Sequence, residues 1–160
     1  MMHSRPALAF ATRSMRSSDL RQVLAIERNA QISPWARLSF ESALTEHYWC
    51  RCLLLEGVII GYLVAQPVLD ELHILNVVID PSKQGMGASH ELMSDAFDYC
   101  AVQGVKRLFL EVRASNTVAQ SLYQKWGFEK LAVRTAYYHT KTTGQREDAL
   151  VFTRELITEH

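Results

Sequence analysis

The chain has 160 residues, in which 17 lysines and arginines balance 17 aspartates and glutamates, so the formal net charge is zero. This length predicts a single domain over residues 1–160, with a core from about 7 to 156 that needs neither a disulfide nor a structural metal. The lack of excess lysine and arginine argues against direct nucleic-acid binding and against an electrostatic membrane partner.

The first half of the chain is expected to form a strand, two helices and three antiparallel strands. Asp19, followed three residues later by Gln22, is an N-cap signal for the first helix. Two β-prone runs on either side of the turn Glu56-Gly57 indicate a hairpin. The predicted elements are a strand at 7–12, a helix after Asp19, a helix around 40–47, and strands at 49–55, 58–68 and 71–80.

In the second half, helices alternate with strands. A loop at 81–87 precedes a helix that ends near Gly104, a residue typical of helix C-termini. The elements that follow are a strand at 106–113, a helix at 116–126, and strands at about 128–138 and 148–156. The order β-α-α-β-β-β-α-β-α-β-β predicts an α/β fold, a mixed sheet with helices on its faces.

The cysteine and histidine contents argue against a secreted protein and against a metal site. Cys50, Cys52 and Cys100 make an odd number, which favours buried free thiols over a disulfide framework. No metal-ligand spacing relates the histidines His47, His73, His90 and His139. Neither a signal peptide nor a transmembrane span is indicated, so a soluble, cytoplasmic protein is expected.

A glycine-rich loop lies between a predicted strand and a predicted helix. Free amides and the positive dipole end at a helix N-terminus favour an anion, and Gly85 and Gly87 let a phosphate approach the backbone. Alone, such a loop is equally consistent with a purely geometric role. His90 stands where a dinucleotide fingerprint needs glycine, and no G-K-[ST] motif follows, which argues against a dehydrogenase and a nucleotide kinase.

Four motifs follow one another along the chain. They are Asn76-Val-Val-Ile-Asp-Pro81, Gln84-x-x-Gly87-x-Ser89, Leu110-Glu-Val-Arg-Ala-Ser-Asn116 and Asn116-x-x-Ala119-x-x-Leu122-Tyr123-x-x-x-Gly127-Phe128. With them, the chain resembles the GCN5-related N-acetyltransferase (GNAT) superfamily over nearly its whole length, and most closely the bacterial ribosomal-protein-alanine N-acetyltransferases. Pro34-Trp35 and Arg146-Glu147-Asp148-Ala149 are also similar to that group. Ser89 in place of a glycine or alanine, and about two inserted residues near 140–145, depart from its pattern.

The resemblance implies a GNAT-like, mostly antiparallel twisted sheet with helices on both faces. It also implies direct transfer of acetyl from acetyl-CoA to the N-terminal alanine of the eighteenth small-subunit ribosomal protein, with Glu111 as base, Tyr123 as acid and Asn116 in contact with acetyl-CoA. The residues whose backbone would hold the pantetheine and thioester are Val77, Val78 and Ile79. The residues that would cradle the pyrophosphate are Gly85, Met86, Gly87, Ala88, Ser89 and His90, and Gln84 before them is also expected to bind acetyl-CoA.

Acyl transfer to an amine needs a group that accepts the ammonium proton. Glu111 shares one face of its strand with Phe109 and Arg113, in largely apolar surroundings. Burial there would raise its pKa, and Arg113 would lower it if the guanidinium is close enough. The alternative is a structural ion pair of Glu111 with Arg113 or with a residue of a neighbouring strand.

The departing thiolate needs a proton, for which Tyr123 is the candidate donor. A phenol with an ordinary pKa near 10 stays protonated at neutral pH. Tyr123 also lies on the apolar face of its helix, so a core tyrosine with a satisfied hydroxyl is the alternative. Asn116 begins the same helix and is suited to cap it, which does not exclude contact with acetyl-CoA.

The pKa of the acceptor amine indicates which class of amine a single base can deprotonate. A protein α-amine titrates at about 7.7 to 8.0 and a lysine near 10.4, so a single moderate base favours an N-terminus without excluding lysine. The candidates for gripping the peptide are Trp35, Tyr137, Tyr138 and Arg146, although Trp35 packing on the second helix and a solvated Arg146 are equally consistent. The other functions left open are acetylation of lysine or of a small-molecule amine, and CoA binding without catalysis.

Overall fold

The computed structural model describes residues 9–142 and 144–156, and its helices and strands follow the predicted order. Short 3₁₀ turns at Ser17–Asp19 and Pro81–Lys83 precede the first helix and the glycine-rich loop. Ala7 and Leu8 of the predicted first strand lie outside the described residues. The elements are β1 (Phe10–Ser14), α1 (Leu20–Ala30), α2 (Arg37–Thr45), β2 (Trp49–Leu55), β3 (Val58–Val68), β4 (Glu71–Ile79), α3 (Ala88–Gln103), β5 (Arg107–Arg113), α4 (Thr117–Lys125), β6 (Glu129–His139) and β7 (Arg146–Glu155).

Asp19 is the N-cap residue of α1, as predicted. The Asp19 side chain makes no cap hydrogen bond to α1. Its Oδ2 accepts hydrogen bonds from the Arg16 amide at 2.8 Å and from Arg13 Nη1 at 2.7 Å. The hydrogen bonds from Arg13 are the main cause that lowers the pKa of Asp19 to about 2. The predicted N-cap position is therefore correct, but the carboxylate binds Arg13 and the Arg16 amide instead of the first turn of α1.

One seven-stranded sheet has the spatial order β1-β2-β3-β4-β5-β7-β6. Its β4–β5 pairing is parallel and its five other pairings are antiparallel, which confirms a mixed, mostly antiparallel sheet. Glu56 and Gly57 between β2 and β3 both have positive φ, 50° and 82°. Two successive residues of positive φ are what a tight two-residue hairpin requires.

Helices cover both faces of the sheet, as predicted. On one face, called the α1 face, Leu20 of α1 and Phe40 of α2 pack in a buried apolar cluster with residues of β2 and β3. On the other, called the α3 face, Leu92 of α3 and Tyr123 of α4 pack in a second cluster with residues of β4, β5 and β7. In residues 9–142 and 144–156, no helix has the length and apolar content needed to cross a membrane.

The three cysteines are free and buried, as expected for structural thiols. Burial raises the pKa of Cys50 and Cys100 to about 11 and that of Cys52 to about 12. All three thiols therefore stay protonated at neutral pH and pack as small hydrophobic side chains.

The sheet opens between β4 and β5. The pairing of these two strands ends at Ile74 and Leu110, although both strands continue beyond these residues. Leu75 is an extra residue in β4 relative to β3, and a bulge of this kind bends and twists its strand. We call the opening between 75–79 and 111–113 the β4–β5 wedge. Backbone groups that face the wedge from these two described segments have no strand partner, so they are free to bind an extended ligand.

Candidate active site

A cavity of about 180 Å³, here called the inner cavity, lies at the β4–β5 wedge. Glu111 of β5 lines it from the α1 face of the sheet, and Tyr123 of α4 lines it from the α3 face. The two side chains meet at one cavity because the strands separate there. The predicted site residues that line the inner cavity are Trp35, Val77, Glu111, Asn116, Tyr123 and Tyr138.

A second cavity of about 590 Å³, the outer cavity, adjoins the inner one on the α1 face. His73 and Phe109 line it, with their rings 4.9 Å apart. Trp35 comes from the segment before α2, and Tyr137 and Tyr138 come from β6. Trp35, Glu111 and Tyr138 line both cavities, so a molecule in the outer cavity meets Glu111 at the entrance to the wedge.

Glu111 forms an ion pair with Arg134 and not with Arg113, the basic residue nearest to it in the sequence. Its Oε1 lies 3.1 Å from Nε of Arg134, which is on β6 beyond β7. Arg113 instead donates a hydrogen bond to the His139 carbonyl at 2.6 Å, and its guanidinium lies 4.5 Å from the centre of the Tyr138 ring. The pair with Arg134 is partly open to solvent, with 28% of the Glu111 side chain and 56% of the Arg134 side chain exposed.

Tyr123 is a buried phenol whose ring belongs to the core and whose side chain lines the inner cavity. The ring contacts Trp126, Phe128 and Phe152, with centroid distances of 6.0 to 6.3 Å. Its pKa is raised to about 12, mainly by burial and to a smaller extent by Tyr138, and no hydrogen bond contributes to this shift. The hydroxyl is therefore protonated at neutral pH, and its role as the proton donor stays a prediction.

The glycine-rich loop leads into the N-terminus of α3. Gly85 and Gly87 have φ of 82° and 84°, in the left-handed region that favours glycine, and Gly87 is the N-cap residue. No side chain caps α3, so the amides of its first turn remain available. A Cβ added at either glycine would meet no atom within 4 Å, which shows that the space over the loop is open. An uncapped helix N-terminus below open space suits a diphosphate.

The remaining predicted residues differ in how they relate to the cavities. The side chain of Val78 packs in the α1-face cluster and that of Ile79 in the α3-face cluster. Only the backbone of these two residues therefore borders the wedge. Asn116 caps α4, because its Oδ1 accepts a hydrogen bond from the Ala119 amide at 3.1 Å. Arg146 is exposed opposite His139 and lines neither cavity. The inserted segment near 140–145 contains residue 143, which lies outside the described residues.

A bulge in β6 explains how two neighbouring tyrosines line the outer cavity. Arg134 and Tyr138 are partners of Ala149 and Glu147 on β7, so three residues of β6 lie opposite one residue of β7. At this point Ala136 has a φ of 51°, and its amide donates a hydrogen bond to Asp148 Oδ1 at 2.9 Å. Bulges are frequent next to active sites, where they redirect side chains.

Glu27 of α1 also lines the inner cavity and was not identified by the sequence analysis. The signal was present in the sequence: Leu20, Val23 and Leu24 form the apolar stripe of α1, and position 27 continues it at helical spacing. A charged residue at such a buried position is unusual unless it has specific partners. Across the described parts of the chain, no group of three or more His, Cys, Asp or Glu residues is arranged to bind a metal ion.

Comparison with known proteins gives consistent results. Residues 13–128 match the acetyltransferase (GNAT) family. The chain is 36% identical over 138 residues to the ribosomal protein bS18-alanine N-acetyltransferase of Escherichia coli K12, covering 86% of this chain and 92% of the relative. It is also 36% identical over 143 residues to a putative enzyme of the same name from Bacillus subtilis, covering 88% and 92%. The crystal structure of the ribosomal-protein-S18-alanine N-acetyltransferase from E. coli has a TM-score of 0.88 and 33% identity, covering 95% of this chain and 97% of that one.

Proposed function

The chain belongs to the acetyltransferase (GNAT) family and uses acetyl-CoA, and we propose that it acetylates the α-amine of the N-terminal alanine of ribosomal protein bS18. The observation that carries this proposal is the inner cavity, where a carboxylate from one face of the sheet and a buried phenol from the other line the same opening. Relatives named for this acceptor, similar over most of the chain, support the choice of acceptor.

The described residues fit acetyl-CoA. The uncapped first turn of α3, with Gly85 and Gly87 before it, offers amides to the pyrophosphate. The free backbone groups of β4 at 77–79 suit the extended pantetheine arm. Asn116 uses its side-chain oxygen for the helix cap, which leaves its side-chain nitrogen to donate towards the inner cavity.

Bound acetyl-CoA supplies an activated acetyl thioester, and the side chains of this chain handle the protons of the transfer. Glu111, at the boundary of the two cavities, accepts the proton of the acceptor ammonium directly or through a water. Tyr123, on the α3 face, would donate its hydroxyl proton to the departing thiolate as the C–S bond breaks, and the second proton that the nitrogen loses on becoming an amide would restore the phenol through solvent. Because the two residues lie on opposite faces of the sheet, proton removal and proton delivery are separated in space.

The outer cavity is proposed to bind the first residues of the acceptor. Trp35, Tyr137 and Tyr138 line it, and aromatic side chains with polar tips suit contacts with a short peptide segment. A single carboxylate suits an α-amine, whose ordinary pKa of about 7.7 to 8.0 makes it far easier to deprotonate than lysine. Ribosomal proteins are made in the cytoplasm, so we propose that the enzyme acts there.

The acceptor assignment is tested with two peptides that share one sequence. That sequence begins with the N-terminal alanine of bS18 and contains one internal lysine; the first peptide has a free α-amine, and the second has a blocked one. We expect mass spectrometry to detect one added acetyl group on the first peptide and none on the second. Acetylation of the blocked peptide alone would assign the enzyme to lysine, and binding of acetyl-CoA without turnover on either peptide would favour a non-catalytic CoA-binding role.

Gly87→Val is expected to weaken acetyl-CoA binding by roughly tenfold or more, because a branched side chain would fill the space over the loop and strain the first turn of α3. Isothermal titration calorimetry measures the change. Gly104→Val is the matched control, since Gly104 ends the same helix with a φ of 71° and equally open space. It should cost similar stability and leave affinity unchanged; an equal loss of affinity in both variants would argue against the phosphate cradle.

A further inference from the structure

Glu27 is a fully buried carboxylate that the proposed chemistry does not use. Glu27 is 0% exposed and lines the inner cavity. Its Oε1 accepts hydrogen bonds from the Tyr62 hydroxyl at 2.6 Å and from Asn76 Nδ2 at 3.0 Å, and its Oε2 accepts one from the Trp35 amide at 2.8 Å. All three donors are neutral. Burying a carboxylate costs free energy that such hydrogen bonds offset only in part.

Two of these hydrogen bonds end at the edges of the proposed binding sites. Trp35 lines both cavities, and its backbone amide is held by Glu27. Asn76 follows the bulge at Leu75, where β4 leaves β5. Its side-chain oxygen accepts a second hydrogen bond, from Gln31 Nε2 at 3.0 Å. The Asn76 amide is therefore held at both ends on the α1 face, directly before the segment of β4 that borders the wedge.

The third hydrogen bond links Glu27 to the core. Tyr62 belongs to β3, is 0% exposed and lines neither cavity. Burial, and then hydrogen bonding to Glu27, raise the pKa of Tyr62, so its phenol remains a hydrogen-bond donor. A leucine at position 27 would continue the apolar stripe of α1 without a buried charge. Core packing therefore does not explain the carboxylate at position 27, whereas its hydrogen bonds to Trp35 and Asn76 do.

We propose that Glu27 is a positioning residue that fixes the β4 side of the wedge and the Trp35 segment in the arrangement that acetyl-CoA and the acceptor peptide require. The inference rests on the proposed binding of acetyl-CoA in the wedge. It assigns one side chain to both substrate sites, each through a separate oxygen: Oε1 acts on β4 through Asn76, and Oε2 acts on the backbone of Trp35.

Three variants separate these contacts. Glu27→Met has a similar volume and removes all three hydrogen bonds. Asn76→Ala removes the link to β4 and leaves the link to Trp35. Tyr62→Phe removes one hydrogen bond to the same carboxylate and leaves both site links, so it is the matched control for a loss of stability alone.

Each variant is measured by acetyl-CoA affinity, by KM for the acceptor peptide, and by hydrogen exchange of the free protein at 75–79 and 33–36. We expect Glu27→Met to weaken acetyl-CoA binding and to raise the peptide KM, each by roughly tenfold, with faster exchange in both segments. Asn76→Ala should weaken acetyl-CoA binding and speed exchange at 75–79 only. Tyr62→Phe should change neither affinity and neither segment.

Equal effects of Tyr62→Phe and Asn76→Ala on acetyl-CoA affinity would overturn the inference, and so would a Glu27→Met protein that binds both substrates like the unchanged chain. If Glu27→Met does not fold, the comparison of Asn76→Ala with Tyr62→Phe still decides. Failure of the unchanged chain to bind acetyl-CoA would contradict the proposed function instead, and hydrogen exchange in the free protein would then test the positioning role.

Discussion

Tyr123→Phe is expected to lower kcat by about 10²- to 10⁴-fold, the usual contribution of a positioned proton donor. Acetyl-CoA affinity should stay unchanged, because only the hydroxyl is lost and the ring keeps its contacts with Trp126, Phe128 and Phe152. The free energy of unfolding should also change little, since the side chain lines the inner cavity and the packing of the ring is kept. Steady-state kinetics, calorimetry and thermal unfolding measure the three quantities.

The high pKa of Tyr123 does not disqualify it as an acid. A phenol with a pKa of about 12 is a weaker acid than a thiol in water, whose pKa is near 8.5. Burial in this protein also raises the pKa of thiols, to about 11 for Cys50 and Cys100 and to about 12 for Cys52. Burial would also raise the pKa of a thiol that leaves inside the inner cavity, which would bring the thiol and the phenol closer in proton affinity. Below a pH of about 12, Tyr123 keeps the proton that it has to deliver.

Tyr99→Phe is the matched control for Tyr123→Phe. Tyr99 packs against the same α3-face cluster, with its ring stacked 4.5 Å from that of Trp49, and it lines neither cavity. Its substitution should leave kcat unchanged. Equal turnover of Tyr123→Phe and the unchanged chain would show that the Tyr123 hydroxyl is structural, and the proton would then have another source.

Local sequence patterns predicted most of the helices and strands, because apolar runs and turn residues determine where such elements begin and end. The runs at 49–55 and 58–68 coincide with β2 and β3, since two apolar, β-prone runs joined by a tight turn of two positive-φ residues form a hairpin. The positions of Gly87 and Gly104 likewise mark the two ends of α3. Asp19 was correctly predicted at the N-cap of α1, but a capping signal does not reveal that its carboxylate pairs with Arg13 instead of capping the helix.

The site was predicted in part, and the missing parts are contacts between distant elements. Glu111 and Tyr123 are in recognisable motifs, and the wedge brings them to one cavity. Arg134 is near Glu111 only because of the strand order β5-β7-β6 and the irregular register of β6, neither of which hydropathy reveals. The partners of Glu27 are likewise distant in sequence: they come from β3, from β4 and from the segment before α2. Arg146 shares a motif with Asp148 but is exposed and lines neither cavity.

Glu111→Gln is expected to lower kcat/KM by about 10²- to 10⁴-fold at neutral pH, because the amide cannot accept the proton of the acceptor ammonium. The loss should shrink as the pH rises above about 8, where solvent itself converts an α-ammonium into the free amine. A pH profile of kcat/KM for both proteins measures this convergence. A deficit that stays constant with pH would contradict the role of Glu111 as the base.

Arg134→Met decides between that role and a structural ion pair, because it removes the same 3.1 Å contact from the other side. Arg134 is more than half exposed on the edge strand β6, and partly exposed pairs of this kind contribute about 0 to 1 kcal/mol to stability. If the pair only supports the structure, both variants should lose the same small stability and turn over alike. If the carboxylate removes the proton, Glu111→Gln should be slow and Arg134→Met should retain turnover within several-fold, since its Glu111 is intact. Equal slowing in both variants would assign the effect to the ion pair instead of to the carboxylate.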